Sequence, residues 1–354
     1  MQPRILILHN DPVLPPEHPD ASSEHDIIET AANTALVLSA AGFAVRQLGI
    51  NYDPQPLLDE IRQNRPDAVF NLFEGLATQT ATEVSVAALM EWLNVPFTGS
   101  PSPALSLGRD KVRTKHLLAA AGLPTPDFVL IDGLPTPRWR RAWPAIVKPA
   151  CQDASVGIDQ ASVVTSQAQL DDRVRYVLGS YGPPVLVERF VFGREFHVNL
   201  IEDGVSGKHR PILPLPFAEI EFLDTRPGRW PVYTFAAKWQ IESDEFKATP
   251  LRTRVAIPDE AAHRLRGIAE KAFRLLQCRD YARLDVRMSA DGRFHVLELN
   301  PNPYLNSQAL VNGMAVIGRS HEQLVVDIAL AAIARGGCVI PDGAIRIPVG
   351  VSRA

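Results

Sequence analysis

The chain has 354 residues, 46% of them hydrophobic and 21% charged, with a formal net charge of −4. That length suggests two or three domains, and the balance is that of an ordinary globular protein. There is no basic block to attract nucleic acid or an anionic membrane, and no apolar run near the roughly 20 residues that span a bilayer. Three scattered cysteines, Cys151, Cys278 and Cys338, form neither a zinc pattern nor a disulfide framework, so a reducing cytoplasmic home is expected.

In chain order, Arg4–His9 reads as a buried strand, Asp26–Ala41 as a helix stopped by Gly42, and Phe43–Gly49 as a second strand. Gln55–Asn64 reads as a helix, Asp67–Asn71 as a third strand, and Thr80–Leu93 as a helix. Strands alternating with helices predict a parallel sheet whose ligands gather at the carboxyl ends of its strands. Those ends are His9-Asn10-Asp11, Asn51-Tyr52 and Asn71 to Gly75, including Glu74; each also suits a plain polar loop.

A helix from Lys111 to Ala121 follows, its first lysine able to reach a phosphate or simply to sit in water. Trp143–Pro149 reads as a strand in which Lys148 stands among apolar neighbours, where an unpaired lysine is seldom buried. Cys151–Gly157 is a small-residue loop that could fold over phosphates through its N–H groups. Pro184–Leu200 reads as strand, turn and strand, carrying Glu188 and Glu195. Residues 203–253 read as a long loop, a length that usually marks a functional lid. Asp259–Gln277 reads as an amphipathic helix, and a last helix is expected near Glu322–Ala334.

Between those helices lies Ala282–Asn300, two alternating runs flanking Asp291-Gly292, a dipeptide that favours a two-residue primed hairpin turn. Counting outward pairs Ala290 with Arg293, Val286 with Leu297, Asp285 with Glu298 and Arg283 with Asn300. One face then reads Leu284, Val286, Met288, Leu297 and Leu299, and the other Arg283, Asp285, Glu298 and Asn300. Opposed carboxylates roughly 5 Å apart repel. They suit a hard cation such as magnesium, which takes oxygen ligands and bridges carboxylates to nucleotide phosphates. A wet polar face is the competing reading.

Several motifs stand in order: Pro96-Phe-Thr-Gly-Ser100, Asp110-Lys111, Ala119 to Pro126, Val147-Lys-Pro149, Ser155-Val-Gly157, Gly193-Arg-Glu195, and Arg283-Leu-Asp285 through Glu298-Leu-Asn300. Together they resemble the ATP-grasp superfamily, and within it the D-alanine–D-alanine ligases. The resemblance implies an α/β chain, α+β in its C-terminal half: an ATP-grasp fold preceded by a parallel-sheet domain. Its expected parts are an N-terminal substrate-side domain at 1–105, a central subdomain at 106–190 and a C-terminal subdomain with metal site and lid at 191–354.

It further implies ATP with Mg2+ or Mn2+ as cofactors, held at Asp285, Glu298 and Asn300. Lys111, Lys148 and Lys238 match phosphate-contacting lysines; Ser155, Val156 and Gly157 the phosphate loop; Glu188, Arg189, Phe190 and Val191 the adenine segment; and Glu195 the ribose carboxylate. Arg283 matches the arginine that stabilises the tetrahedral intermediate, with Lys148 and Lys238 beside it as catalytic cations. The chemistry implied is phosphorylation of a carboxylate to an acylphosphate that an amine then attacks. Expected partners are ATP and amino-acid or short-peptide substrates, without nucleic acid or membrane, and a homodimer is compatible with the fold.

Departures gather at the amino-acid end. The family's Glu, Ser and Tyr around the first amino acid align with Asp26, Ala154 and Trp239, and its His-Gly aligns with Glu74-Gly75. The loop after the metal Asn reads Asn300-Pro-Asn-Pro-Tyr304, and the serine for the second carboxylate aligns with Ala309. The expected function is therefore a carboxylate–amine ligase with an altered pocket. A true D-alanine–D-alanine ligase is the alternative within the enzyme class, and a non-catalytic ATP-binding module is the alternative outside it.

Overall fold

The computed structural model describes residues 2–15, 21–76, 79–152, 155–204, 210–341 and 343–351, with backbone alone for 21–23. The first unit is β1 (Arg4–Asn10), α1 (Ala21–Ala41), β2 (Ala44–Ile50), α2 (Gln55–Asn64), β3 (Ala68–Leu72) and α3 (Thr82–Trp92). Its strands form the expected parallel sheet in the order β2-β1-β3. β3 ends that order yet is buried along its whole length, because its outer side is bridged by the 96–98 stretch, Val69 N–H donating to Pro96 O at 2.8 Å and Thr98 N–H to Val69 O at 2.9 Å.

Next come α4 (Ser102–Arg109) and α5 (Lys111–Ala120), then β4 (Phe128–Ile131), β5 (Ala145–Pro149), β6 (Val163–Val164), α6 (Gln167–Tyr181) and β7 (Val185–Arg189). Strands β4 to β7 pair antiparallel in the order β4-β7-β5-β6. The last part holds β8 (Arg194–Ile201), β9 (Phe217–Ile220), α7 (Phe235–Trp239), α8 (Asp244–Lys247), β10 (Leu251–Val255), α9 (Asp259–Leu275), β11 (Tyr281–Met288), β12 (Phe294–Asn300), α10 (Gln308–Val316) and α11 (His321–Arg335). Its five strands run antiparallel in the order β10-β9-β8-β11-β12.

Two segments cross the expected boundaries. α5 lies against α9 and β12, and Leu118 and Leu123 join the core under the five-stranded sheet, while His116 packs edge-on to Phe128 of β4, so this helix bridges the two sheets. α11 packs on α1 and β3, its Leu324, Val325 and Ile328 completing the N-terminal core. The stretch 203–253 is not one long loop either. β9 and β10 close the edge of the five-stranded sheet, and α7 and α8 sit between them in the chain.

The hairpin differs from the count in two places that cancel. Gly292 N–H donates to Ser289 O (2.8 Å) and Ser289 N–H to Arg293 O (2.9 Å), with Gly292 at φ +76°. This is a three-residue turn closed by a left-handed glycine, not the two-residue primed turn. The slip makes Val286 pair with Val296 rather than Leu297. A β-bulge then absorbs Leu297, so Asp285↔Glu298 and Arg283↔Asn300 pair as expected. Leu297, expected on the core face, instead lines the cleft, and the buried Val296 takes its place beneath the sheet.

Gly193, between β7 and β8, has φ +137°, and a Cβ there would lie 1.9 Å from Met288 O. Only glycine lets this turn close against β11.

Candidate active site

The four-stranded and five-stranded sheets face each other across a cleft of about 970 Å³. β5 and β7 bring Lys148 and Glu188 to one wall; β8, β11 and β12 bring Glu195, Asp285 and Glu298 to the other. Lys111 enters as the first residue of α5, whose start is capped by Asp110 accepting from Arg113 N–H at 2.9 Å. Lys238 enters from α7.

Six basic side chains line the cleft against four carboxylates, a surplus that favours a polyanion. The carboxylates are already matched to cations. Arg283 grips Asp285 with two parallel bonds of 2.7 and 2.9 Å. Lys111 Nζ lies 3.3 Å from Glu298 and donates to Gln152 O at 2.7 Å. Burial alone would raise the Glu298 carboxyl, but Lys111, Lys148, Arg283 and Lys238 together hold it down at about 2. The repulsion expected between the cross-strand carboxylates is thus absorbed by Arg283 and Lys111.

Asn300 Nδ2 reaches Asp285 Oδ2 at 3.4 Å, which brings the expected trio together on one wall. Two carboxylates and an amide offer oxygen to a hard cation, so the donor set fits magnesium. Among the described residues no group of three His, Cys, Asp or Glu side chains forms a metal cluster, so the amide is needed.

Glu188 was expected in the adenine segment; its carboxylate is buried between Lys115, with which it makes a close ion pair, and Lys148 at 2.6 Å. Lys115 is fully buried and donates to Thr125 Oγ1 at 2.8 Å. Burial lowers the Lys115 pKa despite Glu188. Burial pushes Glu188 up, but the two lysines outweigh it and hold it below the usual carboxylate range. The resemblance did not include Lys115, although it sits at i+4 from Lys111 on the same helix, a spacing that shares a face.

Glu195, the expected ribose carboxylate, is bound by Arg287 Nε at 2.8 Å, and Arg287 also donates to Val191 O at 2.7 Å. Arg287 follows Asp285 by two on β11, so continuing the period-2 face would have found it. Phe190 packs edge-on to Phe192 and Trp230, while its face carries the Arg287 guanidinium 4.8 Å away. Val191 and Arg189 also line the cleft, Arg189 Nε lying 3.8 Å from Asp127. His197, across from Asp285 on β8, was also missed. Its Nε2 is 3.8 Å from Asp285 Oδ1. Burial, with Arg283 and Lys238 overriding Asp285, drops its pKa to about 4, so the ring is neutral.

Ser155 and Val156 line the cleft, and Ser155 and Gly157 have φ +63° and +74°. Ile158 N–H donates to Ser155 O at 3.0 Å, and Arg173 to Gly157 O at 2.9 Å, which braces the loop from behind. Ala154 lies outside the described residues.

A smaller cavity of about 320 Å³, lined by Glu74, Glu83, Thr30 and Tyr304, opens at the N-terminal sheet. Glu74 is open to water yet walled by protein; burial first, then Asp26, push its pKa up to about 7 against Arg109 and Lys238. Thr30 Oγ1 donates to the Tyr304 hydroxyl at 3.3 Å, and burial with a bond to Asp26 raises the phenol. Trp239 ends α7 with its ring 5.2 Å from the Lys238 ammonium. Ala309 is buried in the first turn of α10 and belongs to neither cavity lining. Two residues before Asp26, Glu24 is buried and accepts the N–H groups of Val13 (2.9 Å) and Leu14 (2.8 Å), a carboxylate the alignment passed over.

Two α+β units closing on a cationic cleft, with an oxygen-donor trio on one wall, define the ATP-grasp class. The D-ala D-ala ligase C-terminus family matches residues 117–329. A D-alanine–D-alanine ligase from Alcanivorax borkumensis is 31% identical over 76% of this chain and 78% of that protein. The uncharacterized protein y4sG of Sinorhizobium fredii is 33% identical over 73% of this chain and 72% of its own length. The crystal structure of D-alanine–D-alanine ligase from Bacillus anthracis complexed with ATP superposes with a TM-score of 0.69, covering 94% of this chain and 98% of that one at 18% identity. The chain belongs to the D-alanine–D-alanine ligase family of ATP-grasp ligases.

Proposed function

We propose that this chain is an ATP-dependent carboxylate–amine ligase that works through an acylphosphate on an amino acid other than D-alanine. The observation that carries the reading is the contrast within one site: a cleft whose carboxylates are already paired with cations, beside a smaller cavity lined by Glu74, whose carboxyl is raised by burial and by the charge of Asp26. Phosphoryl transfer needs positioning and charge neutralisation rather than a protein nucleophile. Lys111, Lys148 and Lys238 supply the neutralisation at the triphosphate, and the Lys115–Glu188 pair holds Lys148 in place. Asp285, Glu298 and Asn300 would hold magnesium, or manganese, whose chemistry is to draw charge from the phosphate oxygens. Arg283, held by Asp285 in two bonds, would turn to the oxyanion formed when the amine attacks the acylphosphate carbonyl once that carboxylate were engaged by magnesium. α7 carries Lys238 and Trp239 over the join between the nucleotide and amino-acid ends and would keep water from the acylphosphate.

At the amino-acid end, Glu74 and Asp26 suit an ammonium group. Trp239 and Tyr304, each a little over one-third exposed, offer apolar area to a larger side chain than a methyl. The test is ADP release with ATP and each of a panel of amino acids and short peptides. Turnover is expected with a larger amino acid or peptide and little with D-alanine alone. Robust D-alanyl-D-alanine formation would instead make the chain a cell-wall dipeptide ligase, and no turnover with any amine would leave an ATP-binding module.

A further inference from the structure

The amino ends of β1 and β3, away from the ligand-bearing ends of the parallel sheet, border a second large cavity of about 1120 Å³. Arg4, Arg65, Arg279 and Arg335 line it, with Asp67 and Glu91 as its only carboxylates among the described residues. Both Glu91 oxygens are taken by Ser102, from its N–H at 2.8 Å and its hydroxyl at 2.6 Å. Asp67 Oδ2 accepts the Arg4 N–H at 2.7 Å. Each acid thus has a hydrogen-bond partner of its own, while four guanidinium groups outnumber the two carboxylates of the lining.

Those guanidinium groups are only part-used. Arg65 donates Nη2 to Asn94 O at 2.7 Å, and the Arg4 side chain has no partner nearer than Asp67 at 3.9 Å among the described residues. Arg279 lies on the Phe97 ring, 4.6 Å from its centre, and donates to Gly99 O (2.6 Å) and Phe97 O (3.1 Å). Arg335 pairs with the enclosed Asp280 at 2.7 and 2.8 Å, a carboxylate it shares with Arg210, and donates to Phe97 O at 2.7 Å. Burial first, and the neighbouring Arg335 second, lower the Arg279 pKa to about 10. A guanidinium offers five N–H donors in a planar fork that matches carboxylate or phosphate. Carbonyl contacts leave several of these donors on each arginine for an occupant.

We propose that this arginine cavity is a binding site for a small polyanion bearing carboxylate or phosphate groups, separate from the nucleotide cleft. Its walls join the ligase machinery directly. Arg279 and Asp280 run into β11, which carries Arg283 and Asp285. Ser100 accepts the Arg279 N–H at 3.2 Å and donates to Pro301 O at 2.9 Å, next to Asn300. An occupant therefore presses on the start of the strand and the end of the hairpin that form the oxygen-donor trio.

The test is calorimetric titration of the full chain with tricarballylate and, separately, inorganic phosphate, the nucleotide cleft being kept filled with ADP and excess magnesium. Saturable one-site binding of either probe is expected, weakened about tenfold in Arg65→Gln and in Arg4→Gln, with salt weakening it further. Tricarballylate alone binding assigns a carboxylate ligand, and phosphate alone a phosphate ligand. ATP turnover without probe should be unchanged in both variants, which separates this site from the ligase reading. Should Arg65→Gln fail to fold, the largely exposed Arg4→Gln carries the test. No saturable binding of either probe, or binding unaltered in the folded variants, would overturn the proposal.

Discussion

The nucleotide end and the amino-acid end of this site handle charge in opposite ways. In the cleft, each carboxylate has a cation: Asp285 with Arg283, Glu298 with Lys111, Glu188 with Lys115 and Lys148, Glu195 with Arg287. At the other end, burial and the charge of Asp26 raise the Glu74 carboxyl, and the cations that act on it, Arg109 and Lys238, do not offset them. A cleft whose carboxylates are already paired, with cations in surplus, is held in order before a ligand arrives and would exchange partners when one binds. An acidic pair left short of positive charge stores repulsion that an incoming ammonium relieves. The first arrangement suits a ligand shared across a superfamily, and the second leaves room for a substrate to differ.

The largest break in this contrast should come from the trio. Glu298→Gln and Asp285→Asn should each lower ATP-dependent turnover by about 10²-fold or more, the scale of a lost electrostatic contact to the reacting centre. Asp285→Asn should also cost apo stability, about 3 kcal/mol, because Arg283 is left buried without its carboxylate. Melting and turnover measured on the same samples check both; an unchanged Tm in Asp285→Asn would mean the pair is not holding the apo site together.

Lys148→Met should weaken ATP binding roughly tenfold or more, as a lost charge-assisted contact does, while Lys271→Ala on the surface leaves it alone. Lys115→Met probes the same wall from behind. It should lower stability by about 3 kcal/mol and raise KM for ATP through a less constrained Lys148, even though Lys115 is fully buried. If Lys115→Met lost stability but bound ATP as before, the triad would be structural alone.

At the acidic end the effect is smaller and depends on pH. The folded pKa of Glu74, at about 7, lies above its unfolded value, so the native state holds the extra proton. Stability from this group is full below the unfolded carboxylate pKa near 4.5 and is lost as pH rises through 7. Glu74→Gln should flatten that slope in apo melting curves. For turnover the sense reverses under the proposed function, in which ionised Glu74 would receive the ammonium. kcat/KM for the amino acid should rise through pH 7 in the wild type and lose that limb in Glu74→Gln, with KM for ATP unchanged. The smallest change expected is Trp239→Tyr, shifting preference among amino acids by less than about tenfold, the range of modest changes in an apolar pocket. Competition between two amino acids in one reaction measures it.

Local pattern carried the sequence reading far where chemistry and periodicity coincide. Gln55–Asn64 appears as expected, and the alternation of β11 and β12 put Asp285, Glu298 and Asn300 on one face. That success owes something to compensation, since the three-residue turn and the bulge at Leu297 each shift the register by one. The helices α4, α6 and α10 and the strands β4 and β9 were not marked off, being short or weakly patterned. Arg287 and His197 escaped because their roles arise from pairing across strands, Arg287 with Glu195 and His197 beside Asp285.

By itself the sequence determined the order of motifs, the parallel N-terminal sheet, the oxygen-donor trio and the departures at Asp26, Glu74, Trp239 and Tyr304. These are properties of residue type and spacing, which short-range geometry translates directly. Only the tertiary structure decided how the charges are shared. Arg283 closes on Asp285 rather than standing free, Lys115 lies under Glu188, and four arginines from β1, the α2–β3 turn, the β11 entry and α11 meet at one cavity. Such charges attract or repel according to distance and burial. Those are fixed by packing residues far apart in the chain, so no local pattern encodes them.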